Sequence, residues 1–304
     1  MSDMTDLFPG FVAHWIDTQA GRIFARVGGE GPPLVLLHGF PQTHDMWHRV
    51  APALATRFTT VVMDLRGYGW SSAPSSEGGA EYTKRKMGED VIAVMAKLGH
   101  VRFAVAGHDR GARAAYRLAL DHPGHMEKLA LLDIIPTLQV WENIRSGVTP
   151  AAHWRFLAQP FPAPEEEIGK GPDLYYEGLM TKWTKAQSLS CFDARAMGQY
   201  RASWGDPSRT HAMCEDYRAG ATIDLAQDEA DLAAGRRILC PTLIATGDFY
   251  LTRGAMEAPV DVWRRSFAPQ ALGVLVDSGH FLAEENSQET LKALMEFLLP
   301  LPGP

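Results

Sequence analysis

Cysteine is scarce: Cys191, Cys214 and Cys240 are the only three in 304 residues, odd in number and far apart. That spacing fits neither a disulfide framework nor a zinc pattern, so ordinary reduced thiols are expected. An excess of positive charge is also missing. Lys and Arg number 29 against 36 Asp and Glu, for a net charge of −7, and no basic block interrupts the chain. This excludes an extended nucleic-acid or anionic-membrane surface and leaves room only for a local basic site. No run of about eighteen apolar residues occurs that could span a bilayer. The start "MSDMTDLFPGF" carries acids where a secretory leader needs positive charge, so a cytoplasmic location is the expectation. Internal repeats are absent, and low complexity is confined to "SAPSSEGG", read as a surface loop.

What remains is an ordinary globular composition, 46% hydrophobic and 21% charged, in a chain long enough for a large core carrying an insertion. From residue 20 to about 135, apolar β-rich runs alternate with helical patterns. "GRIFARVGG", "PPLVLLHGF", "FTTVVMDLRG", "RFAVAGHD" and "KLALLDI" read as strands; 43–55, 84–98 and 110–121 read as helices. Such alternation implies parallel crossovers and a sheet covered on both faces. Residues 136–238 show no convincing strand but many tryptophans and tyrosines in helical stretches, so a helical insertion is expected there. "PTLIATGD" and "LGVLVDSGH", each followed by a helical pattern, resume the sheet over 239–304. The expected organisation is a core in two parts, 1–135 and 239–304, with a helical cap between them.

The chemistry concentrates at Gly107-His108-Asp109-Arg110-Gly111, on a strand-to-helix junction. Small residues two before and two after a central side chain permit the tight turn of a nucleophile elbow, which pushes that side chain out above the sheet. Here the central residue is Asp109. A surface turn with an acidic helix cap is the plainer use of the same residues. "LLHGFPQT" ends another strand, so that the main-chain N–H groups of Phe40 and Arg110 can form an oxyanion hole. In "DSGHFLAEE", His280 follows the last strand, where a general base would face the elbow. His38 and His108 are weaker candidates for that base.

Four motifs, "HGFPQT", "DLRGYGWSS", "GHDRGAR" and "SGHF", in this order and over nearly the whole chain, resemble the α/β-hydrolase superfamily and within it the haloacetate dehalogenases, fluoroacetate favoured. The resemblance implies a mostly parallel twisted sheet flanked by helices, with an inserted helical cap. It also implies neither cofactor nor metal, a homodimer, and a small haloacid and a halide ion as partners. An aspartate nucleophile is consistent with this. A carboxylate attacking an ester would give an anhydride, whereas attack on a saturated carbon gives an ordinary ester that a His280-activated water can hydrolyse.

Where haloalkane dehalogenases and many epoxide hydrolases carry tryptophan after the nucleophile, this chain has Arg110. Arg113 lies one turn on, and positions i and i+3 share a helix face. Two guanidinium forks beside the nucleophile suit a substrate carboxylate. An ion pair with a cap acid is the competing use, expected more of Arg113 than of Arg110. By resemblance His153, Trp154 and Tyr217 form the halide pocket, Trp183 lines it, and Asp133 orients His280. Asp248, after the next strand, competes with Asp133 on spacing; the acid of many relatives lies about two residues beyond it, where this chain has Tyr250. Val140 stands where some members carry a cavity tyrosine, which predicts a looser preference extending to chloroacetate, bromoacetate or longer 2-haloacids. An epoxide hydrolase with Tyr217 as ring-opening acid is the alternative enzyme. A carboxylate-binding protein without turnover is disfavoured by the presence of nucleophile, base and oxyanion elements together.

Overall fold

The computed structural model describes residues 6–149, 151–253, 255 and 257–299; the acidic start at 1–5 lies outside them. Eight strands form one sheet: β1 (Val12–Thr18), β2 (Gly21–Gly28), β3 (Pro33–Leu37), β4 (Thr59–Met63), β5 (Phe103–His108), β6 (Met126–Leu132), β7 (Thr242–Gly247) and β8 (Leu272–Val276). Their spatial order is β1-β2-β4-β3-β5-β6-β7-β8. From β4 onward every pairing is parallel, while β1 and β2 form a hairpin whose second strand runs antiparallel to β4. Strand β1 had no counterpart in the sequence reading. It is an edge strand in which Ile16 alone is buried, so its apolar residues give little pattern.

Core helices α1 (Ala51–Leu54), α2 (Lys84–Lys97) and α3 (Asp109–Asp121) precede the insertion. The continuous helix expected over 43–55 is instead a 3-10 turn, His44–Trp47, and the short α1, because Pro52 sits where an uninterrupted helix would need a main-chain N–H. Between β6 and β7 come α4 (Thr137–Arg145), α5 (Ala152–Leu157), α6 (Ala163–Gly169), α7 (Pro172–Trp183), α8 (Ala194–Trp204), α9 (Pro207–Ala221) and α10 (Ile223–Ala233), with no strand among the described residues of this stretch. These helices form the cap region. After it, α11 (Pro259–Arg265), α12 (Leu282–Glu285) and α13 (Ser287–Leu298) complete the core. No helix among the described residues is long and apolar enough to cross a membrane.

Strand β5 lies in the middle of the sheet and is buried along its whole length, which explains its nearly unbroken apolar run "FAVAGH". Its register places Leu37 of β3 beside Gly107 and Leu132 of β6 beside His108. The residues that follow these three strands therefore leave the same carboxyl edge of the sheet side by side, the edge where open α/β sheets bind ligands.

Candidate active site

Asp109 opens α3 immediately after β5 with φ of 42°, a left-handed conformation that costs a non-glycine residue about 1–3 kcal/mol. The turn tolerates only small neighbours. A Cβ on Gly107 would stand 2.7 Å from the backbone of Ala112, and one on Gly39 would stand 2.6 Å from the Asp109 Cβ. With those positions bare, the loop after β3 approaches closely enough for the Phe40 N–H to donate to Asp109 Oδ1 at 2.9 Å. The Arg110 N–H lies in the first turn of α3, where main-chain donors have no intrahelical acceptor.

On the other side of the carboxylate stands His280. Its Nε2 is 4.0 Å from Asp109 Oδ2, and its Nδ1 is 2.6 Å from Asp133 Oδ2. Asp133 is itself held after β6 in a left-handed conformation and accepts from the Gly247 N–H at 3.0 Å through Oδ1. Asp248 points elsewhere, pairing with Lys185 at 2.6 Å on the surface. His38 spends both ring nitrogens on backbone, Gly39 O and Leu65 N, each at 3.0 Å. His108 bonds the His280 carbonyl at 2.7 Å, and burial holds it neutral by pushing its pKa down to about 3.

Burial alone would raise the Asp109 pKa, but His280, Arg110 and Arg113 outweigh it and hold the carboxyl well below its usual range. For His280 burial works downward, and the bond to Asp133 with the charges of Asp133 and Asp109 overcomes it, raising the imidazole above its ordinary value.

Arg110 and Arg113, the two arginines of α3 nearest Asp109, are buried, and each has a nitrogen to spare. Arg110 binds Asp216 of α9 through Nε at 3.0 Å and also through Nη2, while its Nη1 is buried with no partner. Lys84 and the Tyr68 hydroxyl also engage Asp216, the latter at 2.9 Å. The ion pair with a cap acid thus belongs to Arg110, the reverse of the expected weighting. Arg113 instead donates through Nη1 to Ile135 O at 3.1 Å and Thr137 Oγ1 at 3.0 Å, leaving its Nε buried and unpaired. The guanidinium planes lie over aromatic rings: Arg110 is 4.3 Å from the Tyr217 centroid, and Arg113 is 4.6 Å from that of Trp154.

His153, Trp154 and Tyr217 converge from α5 and α9. Tyr217 is 6.0 Å from His153 and 5.5 Å from Trp154 between ring centroids. None of the three polar tips makes a hydrogen bond to a described residue. Burial, followed by the Asp109 charge, raises the Tyr217 pKa and keeps its hydroxyl a donor. Trp183, at the end of α7, packs on His153 at 4.7 Å and on His280 at 5.5 Å. The Phe40 ring packs on the same cluster, 5.2 Å from that of Tyr217. Val140 is buried on α4; the neighbouring Trp141 indole donates to Gly220 O at 2.8 Å and packs on Trp154.

Two residues of this site escaped the sequence reading. Asp216 lies inside the quoted "EDYRAG", yet no spacing ties it to Arg110, more than a hundred residues earlier. Tyr250 stands where relatives carry an acid, with nothing in the sequence to mark it as a site residue, and its ring packs 4.6 Å from that of His280.

The arrangement can perform covalent chemistry in which Asp109 Oδ2 is the free nucleophilic oxygen and Oδ1 is already hydrogen-bonded. The gap between Nε2 and Oδ2 exceeds hydrogen-bond reach, so the imidazole can serve an intervening molecule rather than the carboxylate itself.

Residues 32–287 match the family model for the alpha/beta hydrolase fold. The chain is 44% identical to the fluoroacetate dehalogenase of Burkholderia sp, over 96% of this chain and 95% of that one. It is 31% identical to the soluble epoxide hydrolase of Corynebacterium sp. (strain C12), over 92% and 94% respectively. The solved structure of ALR0039 from Nostoc sp PCC 7120 superposes with a TM-score of 0.90 at 45% identity, covering 96% of this chain and 99% of that one.

Proposed function

The chain belongs to the α/β-hydrolase family, and from that premise we propose that it removes halide hydrolytically from a small haloacid, with fluoroacetate or another haloacetate as substrate and glycolate as product. The observation that carries the reading is the pair of unpartnered buried nitrogens, Arg110 Nη1 and Arg113 Nε, beside the nucleophile. A buried donor without an acceptor costs about 1–3 kcal/mol, and a bound carboxylate removes that cost at both positions.

Asp109 Oδ2 attacks the substrate α-carbon as the carbon–halogen bond breaks, and the leaving halide accepts from His153, Trp154 and Tyr217. Fluoride is the strongest acceptor among the halides and needs this convergence of donors most. The product of the first step is an ester of Asp109. Water then adds to its carbonyl carbon while His280 Nε2 takes a proton, and the negative charge develops on Oδ1, where the Phe40 N–H already donates. Collapse expels the glycolate oxygen, which His280 reprotonates, and the regenerated Asp109 carboxyl releases its proton. Haloacetate and water are thereby converted to glycolate, halide and one proton. Asp133 fixes the His280 tautomer by accepting from Nδ1–H. Trp183 and the Phe40 ring exclude bulk water from the cavity.

Halide release measured with fluoro-, chloro- and bromoacetate tests the reading, with an Arg110→Leu variant as control. Release by the wild type, abolished in the variant, is expected; no release from any of the three overturns it. The unbonded Tyr217 hydroxyl and the Corynebacterium relative support a second reading, an epoxide hydrolase in which that hydroxyl protonates the ring oxygen. Styrene oxide turnover that survives replacement of both arginines would favour it. A cytoplasmic homodimer completes the proposal, and light scattering of the purified chain reads the dimer.

A further inference from the structure

In this chain the acid that holds His280 comes from the end of β6, and Asp248, which follows β7, turns to Lys185 instead. Its side chain at position 250 nevertheless returns to the same imidazole. The Tyr250 ring packs 4.6 Å from that of His280 and 5.7 Å from Trp183, which itself lies on His280. Its hydroxyl makes no hydrogen bond to a described residue, and the charges it feels most are those of Asp109 and Asp133. Tyr217, from the cap, has Tyr250 in its electrostatic surroundings as well. The ring thus flanks the site on the His280 side, built from a loop that none of the motifs predicts.

The geometry of displacement gives this ring a meaning. A haloacetate α-carbon in line with Asp109 Oδ2 carries its halogen away from that oxygen, its carboxylate toward Arg110 and Arg113, and two hydrogens in the remaining directions. His280 Nε2 stands 4.0 Å from the attacking Oδ2, so a substituent that replaces a hydrogen on that side meets His280 and the rings packed on it. We propose that Tyr250 is a specificity-determining residue whose ring, backed by Trp183, limits the substituent tolerated on the substrate α-carbon and so confines the enzyme to haloacetates. The inference rests on the dehalogenase reading for its substrate, and its test separates the two. It also sets a limit opposite to the one expected at Val140, since the cavity is narrowed from the β7 loop even where α4 carries no tyrosine.

Two ratios are measured for wild type, Tyr250→Ala and Tyr250→Phe. One is kcat/KM for 2-chloropropionate over chloroacetate, from halide release. The other is calorimetric affinity for lactate over glycolate, which needs no turnover. One methyl group in a fitted pocket is worth about tenfold or more, so Tyr250→Ala is expected to raise both ratios by about that factor. Tyr250→Phe, which keeps the ring, is expected to leave both within about twofold of wild type. If Tyr250→Ala does not fold, Tyr250→Leu, smaller yet still apolar against Trp183, replaces it. Unchanged ratios in the truncated variant, or an equal change in Tyr250→Phe, overturn the proposal. A shifted affinity ratio in a protein that releases no halide would instead overturn the dehalogenase reading and leave the role of Tyr250 in place.

Discussion

Arg110 of α3 and Asp216 of α9 form a fully buried ion pair that ties the helix carrying the proposed nucleophile, Asp109, to the cap. The pair uses two of the three guanidinium nitrogens, so the third is aimed by a neighbour rather than left to rotate. Lys84 shares the same carboxylate, and removal of Asp216 would leave two buried cations without their counter-charge.

From this follows the first prediction. Asp216→Asn should destabilise the protein by about 3–5 kcal/mol, the cost of breaking a buried pair from one side. In the fraction that folds, KM for chloroacetate should rise by about tenfold or more, because Arg110 is no longer held in its fork geometry. Urea unfolding and steady-state halide release read the two effects separately.

Arg113 allows a test of fork against charge. Its Nη1 is engaged by neutral acceptors, Ile135 O and Thr137 Oγ1, and its Nε is free. Arg113→Lys keeps the charge but cannot bond Ile135, Thr137 and a substrate carboxylate together. We expect a rise in KM of about tenfold with kcat changed much less, since the loss falls on binding common to ground and transition states.

The charge balance around His280 predicts a pH signature. Asp109 is held far below its usual range and stays ionised through the whole working interval, so ester formation persists at mildly acidic pH. His280 is raised above its ordinary 6.5, and as a base it must be neutral; hydrolysis therefore declines as pH falls through that raised value. In the ester the Asp109 charge is gone, but Asp133, whose hydrogen bond is the first of the raising influences, remains. Quenching turnover mixtures across this range and weighing the protein should show the Asp109 ester accumulating on the acid side and vanishing on the alkaline side.

The proposed halide donors predict an ordering among substrates. Tyr217→Phe removes one hydroxyl from a set in which Trp154 and His153 remain, and fluoride depends on such donors more than bromide. The rate for fluoroacetate should fall by about ten- to a hundredfold, and that for bromoacetate by less. Parallel measurement of fluoride and bromide release decides this.

How much of this was legible before folding differs from residue to residue. The elbow, the oxyanion loop and His280 are local motifs, because each depends on small residues within a few positions of a strand end. Strand β5 shows itself as an apolar run for the same reason that it is central. Edge strand β1 does not, since its exposed face dilutes the pattern. Asp216 and Tyr250 were invisible as site residues, because what makes them part of it is the docking of α9 and of the β7 loop against α3 and His280. Those are contacts between distant stretches, with no periodicity or spacing to announce them. The choice between Asp133 and Asp248 belongs to the same class: spacing left both open, while in the fold one meets His280 Nδ1 and the other meets Lys185.

The central claim is that Asp109, and not water, attacks the substrate carbon. A single turnover in heavy-oxygen water, with enzyme in excess over chloroacetate, tests it most directly. The solvent oxygen is expected to enter the Asp109 carboxyl, detectable in the peptide spanning β5 and α3, while the first glycolate formed carries none. Heavy oxygen in that first glycolate, with an unlabelled Asp109, would contradict it.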